Sequence, residues 1–347
     1  MRVMQVIAGA GQGGAETFFV DLVSALHRAG LAQRVVIRHN SSRAQALRAA
    51  GIEPVQLPFR RWFDIGTRIA LRQQVLEYRP DIVQTWMSRA SVAMPRGRFV
   101  QVGWLGGYYD LKSYRFCRHL IGVTRDIADQ MVKGGWPRER AHYLPTLAAD
   151  APAPPLSRAE YNTPNDAPLV MALGRLHVKK GFDVLLKAVA EVPDVYAWIA
   201  GDGPLRAELE RQANELGVSG RVRFLGWRDD RAALFATCDI CVMPSRYEPF
   251  GTVMIEAWAH RKPLIVAAAQ GPKGLIKNGE NGLLVPVDDH LALASAIRRL
   301  TDHPELAERI VASGRRQYEA EYTEAAVVGR YMAFYEHVMQ QPRARGP

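Results

Sequence analysis

Pro168–Val189 reads PLVMALGRLHVKKGFDVLLKAV. An apolar run ends at a glycine, a basic loop follows, and Phe182–Val192 then carries apolar residues at helical spacing. Strand, glycine-marked loop and helix in that order form one βα unit of a parallel sheet. The same grammar continues downstream. VYAWIAG, RVRFLG, DICVMP and PLIVAA read as strands. Helices are expected at Leu205–Leu216, stopped by Gly217, and near Thr252–His260. Leu291–Leu300, Pro304–Ala320 and Glu324–Met339 also read as helices.

Upstream the pattern starts afresh. Arg2–Ile7 is a strand, a glycine turn follows, and Ala15–Ala29 is a helix. RVVIR, PVQL, DIVQTW and HLIGVT read as further strands. Ala148–Pro168 is rich in Ala, Pro, Ser, Asn and Asp, which marks a boundary. The expected fold is therefore α/β with two Rossmann-like parallel-sheet domains. Residues 1–150 make the first, 151–167 a linker and 168–323 the second, with 324–347 a terminal helical segment.

A chain of 347 residues suits two domains, and its 48% hydrophobic content lets each bury a core. Net charge is +10 and unevenly placed: residues 1–150 hold 21 Lys and Arg against 11 Asp and Glu, while the remainder is balanced. A basic first half suggests an anionic partner. No nucleic-acid-binding module is recognisable. No segment approaches about 18 uninterrupted apolar residues, and the N-terminus lacks a signal-peptide cleavage pattern, so a cytoplasmic location is expected. Cys117, Cys238 and Cys241 are too few for a disulfide scaffold and lack zinc-site partners, so buried thiols are expected.

Two constellations carry chemistry. Arg175 and Lys180 lie in the loop after a parallel strand, where such sheets bind ligands, and an Arg fork with a Lys ammonium suits a diphosphate. Glu248 and Glu256 flank the start of the helix near Thr252. Ionised carboxylates accept hydrogen bonds and repel phosphate, so they suit sugar hydroxyls. Gly9, Gly11 and Gly14 also match G-x-G-x-x-G, but the next strand ends in Arg38-His39-Asn40 rather than an acid for a ribose diol. A nicotinamide oxidoreductase would leave the second half unexplained.

GRLHVKKG, GDGP (Gly201–Pro204), FLGW (Phe224–Trp227), EPFGTVMIE (Glu248–Glu256) and NGENGLLVP (Asn278–Pro286) occur in this order. With GGAETF (Gly13–Phe18) in the first half, they resemble the family-four glycosyltransferases, retaining enzymes of the GT-B fold, most of all those acting on lipopolysaccharide cores and other envelope glycans. The resemblance implies two domains facing a cleft, with the last helix returning to the first. It assigns Arg175 and Lys180 to the donor diphosphate, Glu248 to the donor sugar and Glu256 to the ribose. Phe250, Gly251 and Thr252 fall beside sugar and phosphate, and Gly13 and Gly14 at a loop closing over the diphosphate. The first half lacks the His that many relatives carry near the reacting carbon, and Leu144–Asp150 lacks their Asn-Gly segment.

The expected reaction moves a sugar from a nucleoside-diphosphate sugar, a co-substrate rather than a cofactor, to an acceptor hydroxyl. The sequence has no D-x-D motif, and no metal is expected. A catalytically inactive scaffold of the same fold is the alternative. Arg89, Tyr108 and Tyr109 are the acceptor candidates. Phe59-Arg60-Arg61-Trp62-Phe63 and the cluster from Tyr108 through Arg118 suggest peripheral docking on an anionic membrane surface, with the glycan or lipid-linked acceptor presented there.

Overall fold

The computed structural model describes residues 1–9, 13–60 and 64–341. The chain forms two compact units, Met1–Leu147 together with the chain from Glu324 onward, and Ala148–Thr323. The first unit contains β1 (Arg2–Ile7), β2 (Ala32–Arg38), β3 (Val55–Leu57), β4 (Ile82–Trp86), β5 (Val100–Leu105), β6 (His119–Gly122) and β7 (Ala141–Tyr143). They form one parallel sheet in the order β3-β2-β1-β4-β5-β6-β7. Its helices are α1 (Gly14–Arg28), α2 (Ser41–Ala49), α3 (Ile65–Tyr78), α4 (Met87–Ala93) and α5 (Arg125–Lys133). Side chains of Asn40, Asp64 and Thr124 cap α2, α3 and α5 by accepting from backbone amides at N3.

The second unit has β8 (Leu169–Leu173), β9 (Tyr196–Ala200), β10 (Val222–Gly226), β11 (Ile240–Met243), β12 (Leu264–Ala267) and β13 (Leu283–Val285). These run parallel in the order β10-β9-β8-β11-β12-β13. Strands β8, β11 and β12 are buried throughout, as expected when helices cover both faces of a parallel sheet. The helices are α6 (Phe182–Ala190), α7 (Arg206–Glu215), α8 (Arg231–Thr237), α9 (Thr252–Ala259), α10 (Gln270–Leu275), α11 (His290–Asp302) and α12 (Pro304–Glu321). Gly217 follows α7 at φ +67°, a left-handed position that favours glycine.

The stretch read as a linker is part of the second unit. Leu156 N donates to Thr237 Oγ1 at 2.7 Å, and the Arg158 guanidinium bonds to Asp239 at 2.9 Å and to the carbonyl of Thr237 at 2.8 Å. Trp198 Nε1 donates to Thr163 Oγ1 at 3.0 Å. A polar, proline-rich composition here marks a segment pinned by side chains rather than a free tether.

The last helix, α13 (Glu324–Gln340), packs on the first unit beside α1. Gln5 and Gln84 stand fully buried in central strands, where an amide without a partner would be costly. Tyr335 bonds to both: Gln5 Nε2 donates to its hydroxyl at 3.1 Å, and that hydroxyl donates to Gln84 Oε1 at 2.7 Å. Arg28 and Glu324 pair at 2.6 Å across α1 and α13. All three cysteines are buried, and burial pushes the thiols of Cys117 and Cys238 up to about 12. Cys238 ends α8, while Cys241 stands in β11.

Candidate functional site

In the second sheet the chain runs outward through β8, β9 and β10 on one side and through β11, β12 and β13 on the other. The change of direction between β8 and β11 opens a crevice at their carboxyl ends, the place where open parallel sheets bind ligands. The loop after β8 carries Arg175 and Lys180, and the loop after β11 carries Glu248.

Local sequence explains how these side chains are aimed. Leu176 is fully buried, which turns its neighbour Arg175 out to solvent. His177 Nδ1 accepts from Lys179 N at 3.2 Å and caps a short 3-10 turn over Val178–Lys180, a structural role for this histidine. Gly181 sits at φ +65°, and a Cβ there would lie 2.1 Å from the carbonyl of Pro244. Only glycine lets the two loops come this close. The carbonyl of Lys179 accepts from Arg246 N at 2.9 Å and Tyr247 N at 3.2 Å, which ties them together.

The result is a direct ion pair between Lys180 Nζ and Glu248 Oε2, both half-buried. Glu256, in the second turn of α9, is bonded through Oε2 to Arg231 at the start of α8. Gly251 precedes α9 at φ +86°, and no side chain caps this helix. Gly251 is buried and Thr252 half-buried, while the Phe250 side chain belongs to the core at 6% exposure, leaving its backbone to line the loop. The structure thus joins Lys180 to Glu248 and gives Glu256 a different partner.

Two arginines here escaped the sequence reading. Arg231 orients Glu256. Arg246 makes two bonds to Asp183 at 2.6 and 2.8 Å, and one to Asp288 at 2.5 Å, bracing the loop against α6. Burial would raise the Asp183 carboxyl, but the Arg246 guanidinium outweighs it and holds that carboxyl below its ordinary value. Neither arginine belongs to a repeated motif, so only contact geometry reveals them.

In the first sheet the direction changes between β1 and β4. Gly13 immediately precedes α1 and Gly14 is its first residue. Glu16 is buried, and a Cβ on Gly9 or Gly13 would lie 2.4 or 2.5 Å from its carboxylate oxygens. These glycines therefore make room for a carboxylate of the chain itself, placed where the positive end of α1 favours it. Gly11 lies outside the described residues.

Arg89 is exposed on α4, beside a groove of about 510 Å³ that Arg60, Arg68 and Ser113 also line. Tyr108 donates to Asp126, and Tyr109 is 37% exposed. Within the stretches expected to enter a membrane, Phe59 is 1% exposed and Tyr114 fully buried. Both rings are core, packed away by the apolar surroundings of their strands and helices, and cannot reach a lipid surface. Phe116 is half-exposed between Arg96 and Arg115, at 4.5 and 4.8 Å from its ring. Arg61, Trp62 and Phe63 lie outside the described residues. No described helix is long and apolar enough to cross a membrane.

Known proteins share this architecture. A family model described as glycosyltransferase family 4 matches residues 12–147, and one described as glycosyl transferases group 1 matches residues 155–317. The lipopolysaccharide core biosynthesis glycosyltransferase LpsD of Rhizobium meliloti is 36% identical over 342 residues, spanning 97% of this chain and 98% of LpsD. LpsE of the same organism is 34% identical over 334 residues, spanning 92% and 95%. Among solved structures, Anabaena HepE in complex with UDP and glucose superposes with a TM-score of 0.84 at 21% identity, covering 96% of this chain and 99% of HepE. The chain belongs to the family-four glycosyltransferases and is built from the two parallel-sheet α/β units of their GT-B fold.

Proposed function

We propose that this glycosyltransferase moves a sugar from a nucleoside-diphosphate donor to a hydroxyl of a lipopolysaccharide core or related envelope glycan, with retention of configuration and without a metal. The observation that carries the site assignment is the Lys180–Glu248 pair at the β8/β11 switch point. Arg175 and Lys180 bind the diphosphate. As the bond from the anomeric carbon to the diphosphate breaks, negative charge grows on the leaving oxygen, and fixed cations and the amides starting α9 stabilise it. When Lys180 turns to phosphate, the Glu248 carboxylate accepts from a donor-sugar hydroxyl. Glu256, held by Arg231, accepts from the ribose diol. The acceptor oxygen attacks the same face that the diphosphate leaves, and its proton passes to the departing phosphate oxygen. The first unit takes the acceptor, with Arg89, Tyr108 and Tyr109 as its contacts, at the cytoplasmic leaflet of the membrane.

The relatives named lipopolysaccharide core glycosyltransferases support the acceptor class, and the UDP in HepE makes UDP-sugars the first donors to try. The test supplies UDP-, GDP-, ADP- and CMP-sugars with a lipopolysaccharide-core acceptor preparation and measures nucleotide release and product stereochemistry. One donor class should turn over, give a retained linkage and keep its rate in EDTA. An inverted product, or activity lost in EDTA and restored by Mg²⁺ or Mn²⁺, overturns the corresponding part of the reading.

A further inference from the structure

We propose that the exposed face of α3 docks on an anionic lipid surface; this rests on the reading that the acceptor is lipid-linked and names the surface that would engage the bilayer. Ile65, Ile69 and Leu76 are 67%, 64% and 66% exposed. Spaced by four and seven residues, they stand in one row on the outward side of the helix, while Thr67 and Leu71 face the core. Single exposed apolar residues are commonplace, but an aligned row on one helix face marks an interaction site.

The charge beside this row selects the partner. Arg68 and Arg72 project along one flank of the row, and exposed Arg79 follows at the helix end. The acids of this element are engaged elsewhere: Asp64 caps the helix by accepting from Thr67 N at 3.1 Å, and Glu77 pairs with Arg34 at 3.3 Å. On neighbouring α4, Val92 is 48% exposed and its carbonyl accepts from Arg68 at 3.2 Å, which extends the apolar surface next to the arginines. The groove between these helices adds Arg60 and Arg89. An apolar stripe edged by arginine matches the boundary between acyl chains and phosphate headgroups. A second copy packed antiparallel on α3 would instead set its arginine flank against itself.

The test uses the full chain and co-sedimentation with phosphatidylcholine vesicles, with or without phosphatidylglycerol. Binding is expected only with phosphatidylglycerol, weakening as salt rises. Ile69→Ser with Leu76→Ser, and separately Arg68→Glu with Arg72→Glu, should each weaken it roughly tenfold or more, by loss of insertion and of headgroup attraction respectively. These residues are exposed, so the thermal midpoint should be unchanged. Transfer to a detergent-dispersed acceptor should also be unchanged in the Ile69→Ser/Leu76→Ser variant. Equal binding to both vesicle types, wild-type binding by both variants, or a concentration-dependent dimer in place of vesicle binding overturns the proposal. Transfer that persists without vesicle binding leaves the transferase reading standing. Vesicle binding without transfer to any acceptor defeats that reading alone.

Discussion

The carboxyl edges of the two sheets are built differently. In the second unit, backbone lies on backbone. A Cβ on Gly201 would sit 1.9 Å from the carbonyl oxygen of Gly174, one on Gly203 2.4 Å from that of Leu176, and one on Gly271 2.4 Å from that of Pro249. In the first unit, Gly9 and Gly13 lie against the Glu16 side chain and Gly106 against the Trp104 ring, while Gly122 touches one backbone atom, Ala128 N, at 3.0 Å. A side chain moves aside more readily than a main chain pinned by backbone hydrogen bonds, such as Gly174 N to Ala200 O at 3.0 Å and Leu176 N to Asp202 O at 2.9 Å. The second unit is therefore confined to fixed glycine spacings at this edge, and the first unit has more latitude to vary.

The sharpest way to break this comparison is Gly201→Ala. The site combines φ +150° with a carbonyl at 1.9 Å, so both strain and overlap oppose a methyl group. Overpacking of this kind costs about 3 kcal/mol or more. Thermal melts should show the second unit destabilised or unfolded, with donor binding lost. Gly13→Ala should lower the melting temperature less, because the Glu16 carboxylate can shift. Equal losses from both variants would remove the distinction.

Next in size is the division of labour at the proposed donor edge. Lys180→Ala should lower kcat by roughly 10²–10³-fold, because charge on the diphosphate grows in the transition state. Glu256→Ala should act chiefly on the donor KM, because ribose contacts change little during reaction. Steady-state kinetics separates the two. Small, equal effects on the same parameter would show that neither residue has its proposed role.

This contrast also explains what the sequence made legible. The order of strands and helices followed from apolar runs alternating with helical spacing, and Arg175, Lys180, Glu248 and Glu256 stood out by residue type and place, as a basic loop after a parallel strand and two carboxylates flanking a helix start. The Lys180–Glu248 and Arg231–Glu256 pairs did not, since pairing joins residues 68 and 25 positions apart. The boundary at Ala148 was legible, but the contacts of the segment after it were not, because Arg158 and Thr163 look like any polar loop residues until Asp239 and Trp198 meet them. Two of the aromatics expected at a membrane, Phe59 and Tyr114, are core for a related reason. Phe59 sits in a basic stretch yet points into the core, while Ile65, Ile69 and Leu76 occupy a helix face that only packing could show to be uncovered.

A smaller effect concerns the attachment of α13 to the first unit. His119 Nδ1 and His142 Nε2 lie 3.0 Å apart, under Phe334 of that helix. Burial, then mutual repulsion, lowers His119 to about 3; burial, then His337, lowers His142 to about 4. Arg118 and Arg140 add to the repulsion on His119. The neutral rings belong to the folded state, and an unfolded chain takes up protons below about pH 6.5. Stability from this cluster is thus complete above that pH and is lost progressively as pH falls from 6.5 toward about 3. Melts of wild type and His142→Gln across this range should converge on acidification. Parallel curves would mean that the pair does not titrate on unfolding.

The smallest expected effect on stability is the most informative about chemistry. Gly14 opens α1, is exposed, and a Cβ there would meet nothing within 4 Å. Alanine favours helix more than glycine does, so Gly14→Ala should leave the melting temperature unchanged or raise it slightly, by about 0.5 kcal/mol. Unlike Gly201, this glycine has no folding reason to be glycine. If its backbone must instead approach the donor's phosphates, the added methyl group obstructs only that approach. The donor KM should then rise roughly tenfold, equivalent to about 1.4 kcal/mol. A stable variant with impaired donor binding separates ligand approach from folding at one position. Unchanged kinetics would withdraw the donor role from Gly14 and leave Glu16 as the feature that explains the neighbouring glycines.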